Sequence, residues 1–194
     1  MLKSLAIRFD ADEHSYTALD TGEELPHCTG MLHATGWLKG AEFASDDSLE
    51  RGTAVHKLTA DYDLGALELT SCVSRYRPYL LGHALAMSIM KPEILSVEEP
   101  IGHPTLRYGG RPDRVWRLDG VLTVVDEKSG QKNKAHRIQT ALQAILVAVE
   151  YEIPPELIAR AALYLTPKGK FLYDPHTDRR DFDEAMRIIR SCCR

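Results

Sequence analysis

The chain has 194 residues, a net charge of −4 and a composition that is 44% hydrophobic and 27% charged. That balance excludes disordered and collagen-like chains, and a domain of this size buries about 70% of the surface of its unfolded chain, so one core suffices. No apolar run nears the ~20 residues that cross a bilayer, and a negative chain must gather its cations locally to touch nucleic acid.

Met1-Leu2-Lys3-Ser4 lacks the apolar core of a signal peptide, so a cytoplasmic location is expected. Residues 5–19 alternate loosely around a turn at 10–13 and predict a small β-hairpin, an edge decoration. After Pro26, Thr29 is placed to cap a short helix through Met31, Leu32 and His33, stopped by Gly36. A longer helix is predicted over 41–64, capped by Ser45 or Asp46, with Val55, Leu58 and Tyr62 at helical spacing. Another covers 70–90, kinked or broken early by Pro78. Three strands follow at 94–101, 108–118 and 121–128. Asp119-Gly120 between the last two is a strong hairpin signal. Ile138, Leu142, Ile145 and Val149 form the apolar stripe of a helix over 135–151. Residues 159–166 predict a strand, Lys168-Gly169 turns into 171–173, and 182–190 is a closing helix. This is an α+β layout, a mixed sheet flanked by helices, in a single domain over 1–194. Cys28, Cys72, Cys192 and Cys193 match neither a zinc pattern nor a disulfide framework and are read as reduced thiols.

The sharpest inference comes from the hairpin. With Asp119 and Gly120 as its two loop residues, counting outward along both strands sets Asp113 directly opposite Asp126. Cβ atoms so paired lie ~4.5–5.5 Å apart, and opposed like charges destabilise a sheet. Alternation puts Lys128 on the face of Asp126 and Glu127 on the other. A hard cation such as Mg2+ would explain two carboxylates among Val115, Val124 and Val125. A lysine beside it would stabilise negative charge or help activate an attacking water. The pattern also reads as the polar face of an exposed sheet, with Asp113 and Lys128 as a solvated ion pair. The residues alone leave both readings open.

Gly110-Arg111-Pro112-Asp113 followed by Asp126-Glu127-Lys128 resembles the signature of the PD-(D/E)xK nuclease superfamily. It looks most like the RecB-type exonuclease branch, which includes lambda-exonuclease-like and CRISPR-associated exonucleases. Gly52-Thr53-Ala54-Val55-His56 resembles that branch's glycine-to-histidine helix motif, and Lys128-Ser129-Gly130 its lysine–small residue–glycine ending. Glu98 and Glu99 stand where the family carries an acid, and Gln139 where its glutamine motif begins. The FDADEHSY run at 9–16 is similar to that of small phage- and prophage-encoded nucleases. Together these matches span residues 9–145.

The resemblance implies a restriction-endonuclease-like core with the order αβββαβ at 41–175, an N-terminal hairpin and short helix at 1–40, and a C-terminal helix at 176–194. It implies a metal-dependent deoxyribonuclease, an exonuclease in phage or prophage DNA recombination, repair or processing in a bacterial host. A catalytically degenerate DNA-binding or interaction module is the alternative. Mg2+ would be the metal, with Mn2+ as substitute. Asp113 and Asp126 would ligate it, with a backbone carbonyl near Glu127 as a further ligand, and His56 would reach it from the preceding helix. On spacing alone His56 is an ordinary amphipathic-helix histidine, though Gly52 one turn earlier leaves space beside it. Lys128 would position or polarise the attacking water, and Gln139 would orient Lys128 or a phosphate. Glu98 is the expected acid, because family members more often place it two residues before the proline, and alternation keeps Glu98 and Glu99 from facing the site together.

Two departures stand out. Gln143 occupies the family's usual tyrosine position, so stacking there is lost while a polar DNA contact persists. Cys192 and Cys193 lack the family's cluster spacing, and no iron–sulfur cluster is expected. Lys128, Lys132, Lys134 and Arg137 form a run of cations without an acid, which is usually a solvated loop. Here it leaves the catalytic strand and enters a helix N-terminus, so Lys132, Lys134 and Arg137 are expected to contact DNA phosphates. Trp37, Tyr76 and Tyr79 are read as core rather than base-stacking groups, and no stacking role is assigned to Arg77. An annealing-protein partner and a homo-oligomer are in keeping with the resemblance.

Overall fold

The computed structural model describes residues 3–38, 46–70, 72 and 74–193. Strands β1 (Ile7–Asp10) and β2 (Ser15–Ala18) form the expected hairpin. Asp10 Oδ1 holds its turn, accepting from the N–H groups of Asp12 at 3.0 Å and Glu13 at 3.1 Å. Strand β3 (Glu24–Leu25), which has no counterpart in the sequence reading, pairs with β2. Helix α1 (Cys28–Ala34) corrects the expected cap: His27 caps it, its Nδ1 accepting from the Gly30 N–H at 3.3 Å, and Thr29 lies inside the helix. The stop at Gly36 is as expected. Its φ is +77°, and the N–H groups of Gly36 and Trp37 bond back to the carbonyls of His33 and Leu32.

Helix α2 (Asp46–Asp63) turns Val55 into the core. The predicted cap at Ser45 lies outside the described residues, as does the side chain of Asp46. Helix α3 (Arg77–Met90) begins at Arg77 instead of 70. Pro78 sits in its first turn, where its missing N–H has no helical partner to lose, so the proline starts the helix and does not kink it. Tyr76 and Tyr79 are buried beside Val55 and Trp116, as core residues.

The strands that follow are β4 (Glu93–Val97), β5 (Ile101–Gly102), β6 (Gly109–Gly110), β7 (Arg114–Leu118) and β8 (Val121–Lys128). Helix α4 (Ala135–Glu150), β9 (Ala159–Leu165), β10 (Phe171–Pro175) and helix α5 (Arg180–Cys192) complete the chain. The main sheet has the order β10-β9-β8-β7-β4 and is antiparallel except where β8 pairs with β9 across the α4 connection. Each of two predicted strands is cut in two: 94–101 into β4 and β5, and 108–118 into β6 and β7, with β5 and β6 pairing apart from the main sheet. Pro100 and Pro112 stand in the gaps and offer no ladder donor. Glu98, at φ +50°, turns the chain out of β4.

Asp119 and Gly120 both have positive φ, +49° and +80°, the pattern of a tight hairpin turn. The pairing runs from Leu118↔Val121 through Val115↔Val124 to Arg114↔Val125. Val115 and Val124 pack against α1, α4 and α5, whereas Trp116 and Val125 pack against α2 and α3. Strand alternation therefore assigns Asp126 to the α4 side and Glu127 to the α2/α3 side. Among the described residues no helix is long and apolar enough to cross a membrane.

Candidate active site

The hairpin ladder ends at Arg114↔Val125, so Asp113 is the next residue outward, level with Asp126. Their surroundings do not match the exposed-face reading: Asp113 is 9% exposed and Asp126 0%. Asp113 is held on all sides. Its Oδ2 accepts from the Glu127 N–H at 2.7 Å, and its carbonyl accepts from Glu98 N–H at 3.1 Å and from Arg114 Nη1 at 2.7 Å. Its Oδ1 lies 3.4 Å from His56 Nδ1, which is also 3.8 Å from Glu98 Oε1. Asp126 is placed differently. Lys128 Nζ pairs with its Oδ2 at 2.5 Å, and its Oδ1 is buried without a hydrogen-bond partner among the described residues.

Electrostatics separate the two acids. Burial pushes Asp126 up to about 6, Asp113 adding to the effect and Lys128 opposing it. Burial would also raise Asp113, but His56 and Lys128 outweigh it and hold that carboxyl below the ordinary range. Burial alone would lower His56, yet Asp113 and Glu98 bring it up to about 10. Lys128 stays cationic for the same reason, since Asp126 and Asp113 overcome its desolvation.

His56, Asp113 and Lys128 open onto a cavity of about 190 Å3, which the fully buried Asp126 does not line. His56, Asp113, Lys128, Gln139 and Gln143 line it from the core elements, and His14, Tyr16 and His27 close it from the N-terminal segment. The hairpin expected as an edge decoration is therefore a wall of the site. The Arg111 guanidinium sits 4.4 Å from the centre of the Phe9 ring, and Tyr16 packs at 4.8 Å from Phe9 and 5.5 Å from His27. A larger groove of about 850 Å3 shares His14, His56 and Arg111 and passes over Gly52. A Cβ at Gly52 would meet nothing within 4 Å, so there is room beside His56.

The remaining expected residues divide. Glu98 faces the site and pairs with Arg111 Nη2 at 3.3 Å, while Glu99 lines a separate hollow with Ser4 and Tyr151. Gln139 and Gln143 both line the cavity, and Gln143 is 3% exposed with its Oε1 lacking a hydrogen-bond partner. The Glu127 carboxylate points away, 2.6 Å from both Thr59 Oγ1 and His83 Nδ1, and only its main chain touches Asp113. Lys132 pairs with Asp174 at 2.9 Å, and Arg137 with Asp181 at 3.4 Å and Asp178 at 3.8 Å. Lys134 is exposed. Sequence reasoning missed His14, Tyr16, His27 and Arg111 as site residues. The one local signal was alternation, which sets His14 and Tyr16 on one face of β2 and its entry.

Among the described residues, no three His, Cys, Asp or Glu side chains converge as a ready-made metal cluster. A hard cation that keeps most of its waters needs only one or two carboxylates. Asp126, with its Oδ1 unpartnered among the described residues, supplies that beside Asp113, so the residues present fit Mg2+ or Mn2+. No family model matches the chain, and no curated protein matches it at a significant level.

Proposed function

We propose that this protein is a metal-dependent deoxyribonuclease of PD-(D/E)xK type with a restriction-endonuclease-like core, nearest the RecB exonuclease branch. The observation that carries the reading is the fully buried Asp126 carboxylate, with Oδ2 paired to the Lys128 ammonium and Oδ1 without a partner among the described residues. It lies level with Asp113, which lines the cavity together with Lys128. His56 and Lys128 offset part of the cost of burying two adjacent carboxylates. A divalent cation held by Asp113 and Asp126 would supply Lewis acidity, lowering the pKa of a water and offsetting charge on a phosphate.

The chain's own residues supply the rest. His56 and the Glu127 N–H fix the two oxygens of Asp113, so its carboxylate cannot rotate away. Lys128 offers N–H donors to a phosphate oxygen or to the attacking water, with Gln139 beside it in the cavity. Arg111, braced by Glu98 and Phe9, brings a second cation to the mouth. A small walled cavity suits a strand end better than the middle of a duplex, which favours exonuclease action. A role in phage or prophage recombination or repair, with an annealing protein as partner, belongs to the same proposal.

The test is incubation with end-labelled linear and closed circular DNA, with Mg2+, with Mn2+ and with EDTA. Linear DNA is expected to be degraded only with metal. Asp113→Ala, Asp126→Ala and Lys128→Ala are each expected to lower the rate at least about 100-fold while remaining folded. Activity surviving in EDTA or in Lys128→Ala would reject the mechanism.

A further inference from the structure

The lining of the cavity divides by chemistry into two halves, one charged and one neutral. His56, Arg111, Asp113 and Lys128 make the charged half assigned above. The other half is formed by Tyr16, His27, Thr29, Gln139 and Gln143, none of them an acid or a fixed cation. Burial lowers the pKa of His27, and likewise that of His14 at the junction, so both imidazoles are held neutral near pH 7. His27 Nδ1 already accepts from Gly30 N–H, which leaves its Nε2–H as a donor. A phosphate calls for charge or a nest of amides, and this half offers neither. It offers neutral donors and acceptors, the vocabulary that reads the edge of a nucleobase.

Gln143 gives the half its direction. Its side chain is 3% exposed, lines the cavity, and leaves Oε1 without a hydrogen-bond partner. A buried amide oxygen left unmatched is unfavourable unless something that enters the cavity donates to it. His14 adds a second sign of constraint: it lies at the junction of cavity and groove with φ +49°, a conformation non-glycine residues seldom adopt.

Resting on the nuclease reading, we propose that this half receives the unpaired nucleobase of the nucleotide whose phosphate reacts, with the base's exocyclic amine donating to Gln143 Oε1. A base inside a walled cavity has left its stack and its partner. The substrate class is therefore a single-stranded or frayed DNA end. Adenine and cytosine carry that amine at the position where thymine has its O4 carbonyl acceptor, so they fit better than thymine.

The experiment uses single-stranded oligonucleotides ending in adenine, cytosine or thymine and a blunt duplex of the same sequence. It measures kcat/KM with Mg2+ and, separately, binding by fluorescence anisotropy in EDTA. Wild type is expected to favour adenine and cytosine over thymine by roughly tenfold in both readouts, and to cut single strands faster than blunt duplex. Gln143→Met, close in volume, is expected to bring the base ratio near one while melting like wild type. The base ratio and strand preference of wild type need no variant, so the proposal is testable even if Gln143→Met fails to fold. Equal rates and affinities for thymine and adenine ends, or blunt duplex cut as fast as single strands, would overturn it while leaving the nuclease reading in place. If no DNA is cut under any condition, the nuclease reading falls, and base-dependent binding in EDTA still supports the pocket.

Discussion

Asp126 and Glu127 are neighbours on β8 with opposite surroundings. Asp126 pairs with Lys128 through Oδ2 and leaves Oδ1 without a partner among the described residues, whereas Glu127 belongs to a closed buried network with His83, Asp63, Arg114 and Thr59. His83 bridges Glu127 at 2.6 Å and Asp63 at 2.7 Å, and Arg114 joins Asp63 at 2.5 Å to Thr59 at 3.1 Å. Arg114 also holds the Asp113 carbonyl, so the network ties α2 and α3 to the back of the site. Burial alone would lower His83, but Glu127 and Asp63 bring it up to about 9. Its unfolded pKa is about 6.5. The folded state therefore binds the proton more tightly, and the resulting stability is full below that pH and lost as pH rises through about 9. The amount is on the order of 3 kcal/mol, read from urea unfolding across that range. His83→Gln is expected to be less stable at pH 6 and to show a shallower alkaline slope. Some slope remains because His56, raised to about 10, loses its proton in an overlapping range. A slope unchanged in the variant would remove His83 as its source.

At the scale of elements, glycines test the packing in opposite directions. A Cβ at Gly82 in α3 would fall 2.7 Å from the Lys170 carbonyl oxygen, so Gly82→Ala is expected to destabilise by about 1–3 kcal/mol. Gly52 lies inside α2 with nothing within 4 Å of its missing Cβ. Gly52→Ala should stabilise by about 0.5–1 kcal/mol through helix propensity. Thermal melting distinguishes them, and shifts of the same sign would contradict this packing. What was legible in the sequence follows the same division between local and distant causes. The β7–β8 turn and the α4 stripe are local patterns, so the register that brings Asp113 beside Asp126 could be counted from Asp119-Gly120. The His27 cap was not legible, because an imidazole acceptor stands outside the usual Ser, Thr, Asp and Asn set. Nor was the N-terminal wall. It depends on distant pairings, Leu5 with Gly102 and His27 with Gly109, and on Gly109 letting Tyr16 approach to 3.1 Å of where its Cβ would be. Glycines mark such approaches without naming the partner.

Over the whole molecule, charge separates this protein from nucleic-acid binders that rely on a basic surface. Net charge is −4, and the cations nearest the site are engaged: Lys128 with Asp126, Arg111 with Glu98, Lys132 with Asp174, and Arg137 with Asp181. Lys134 is exposed and makes no ion pair among the described residues. If the cavity holds a strand end, affinity rests on a few short-range contacts and on the bound cation, with little long-range attraction. Each phosphate neutralised on a single strand contributes about −0.7 to the slope of log K against log salt. One or two such contacts predict a slope of about −0.7 to −1.4, measured by anisotropy in EDTA between ~50 and ~200 mM salt. Lys134→Ala is expected to reduce that slope by about 0.7, and Lys132→Ala by less, because Lys132 must first leave Asp174. A wild-type slope of about −4 or steeper would mean that a basic track elsewhere carries the strand, and the cavity would then lose its claim to the substrate.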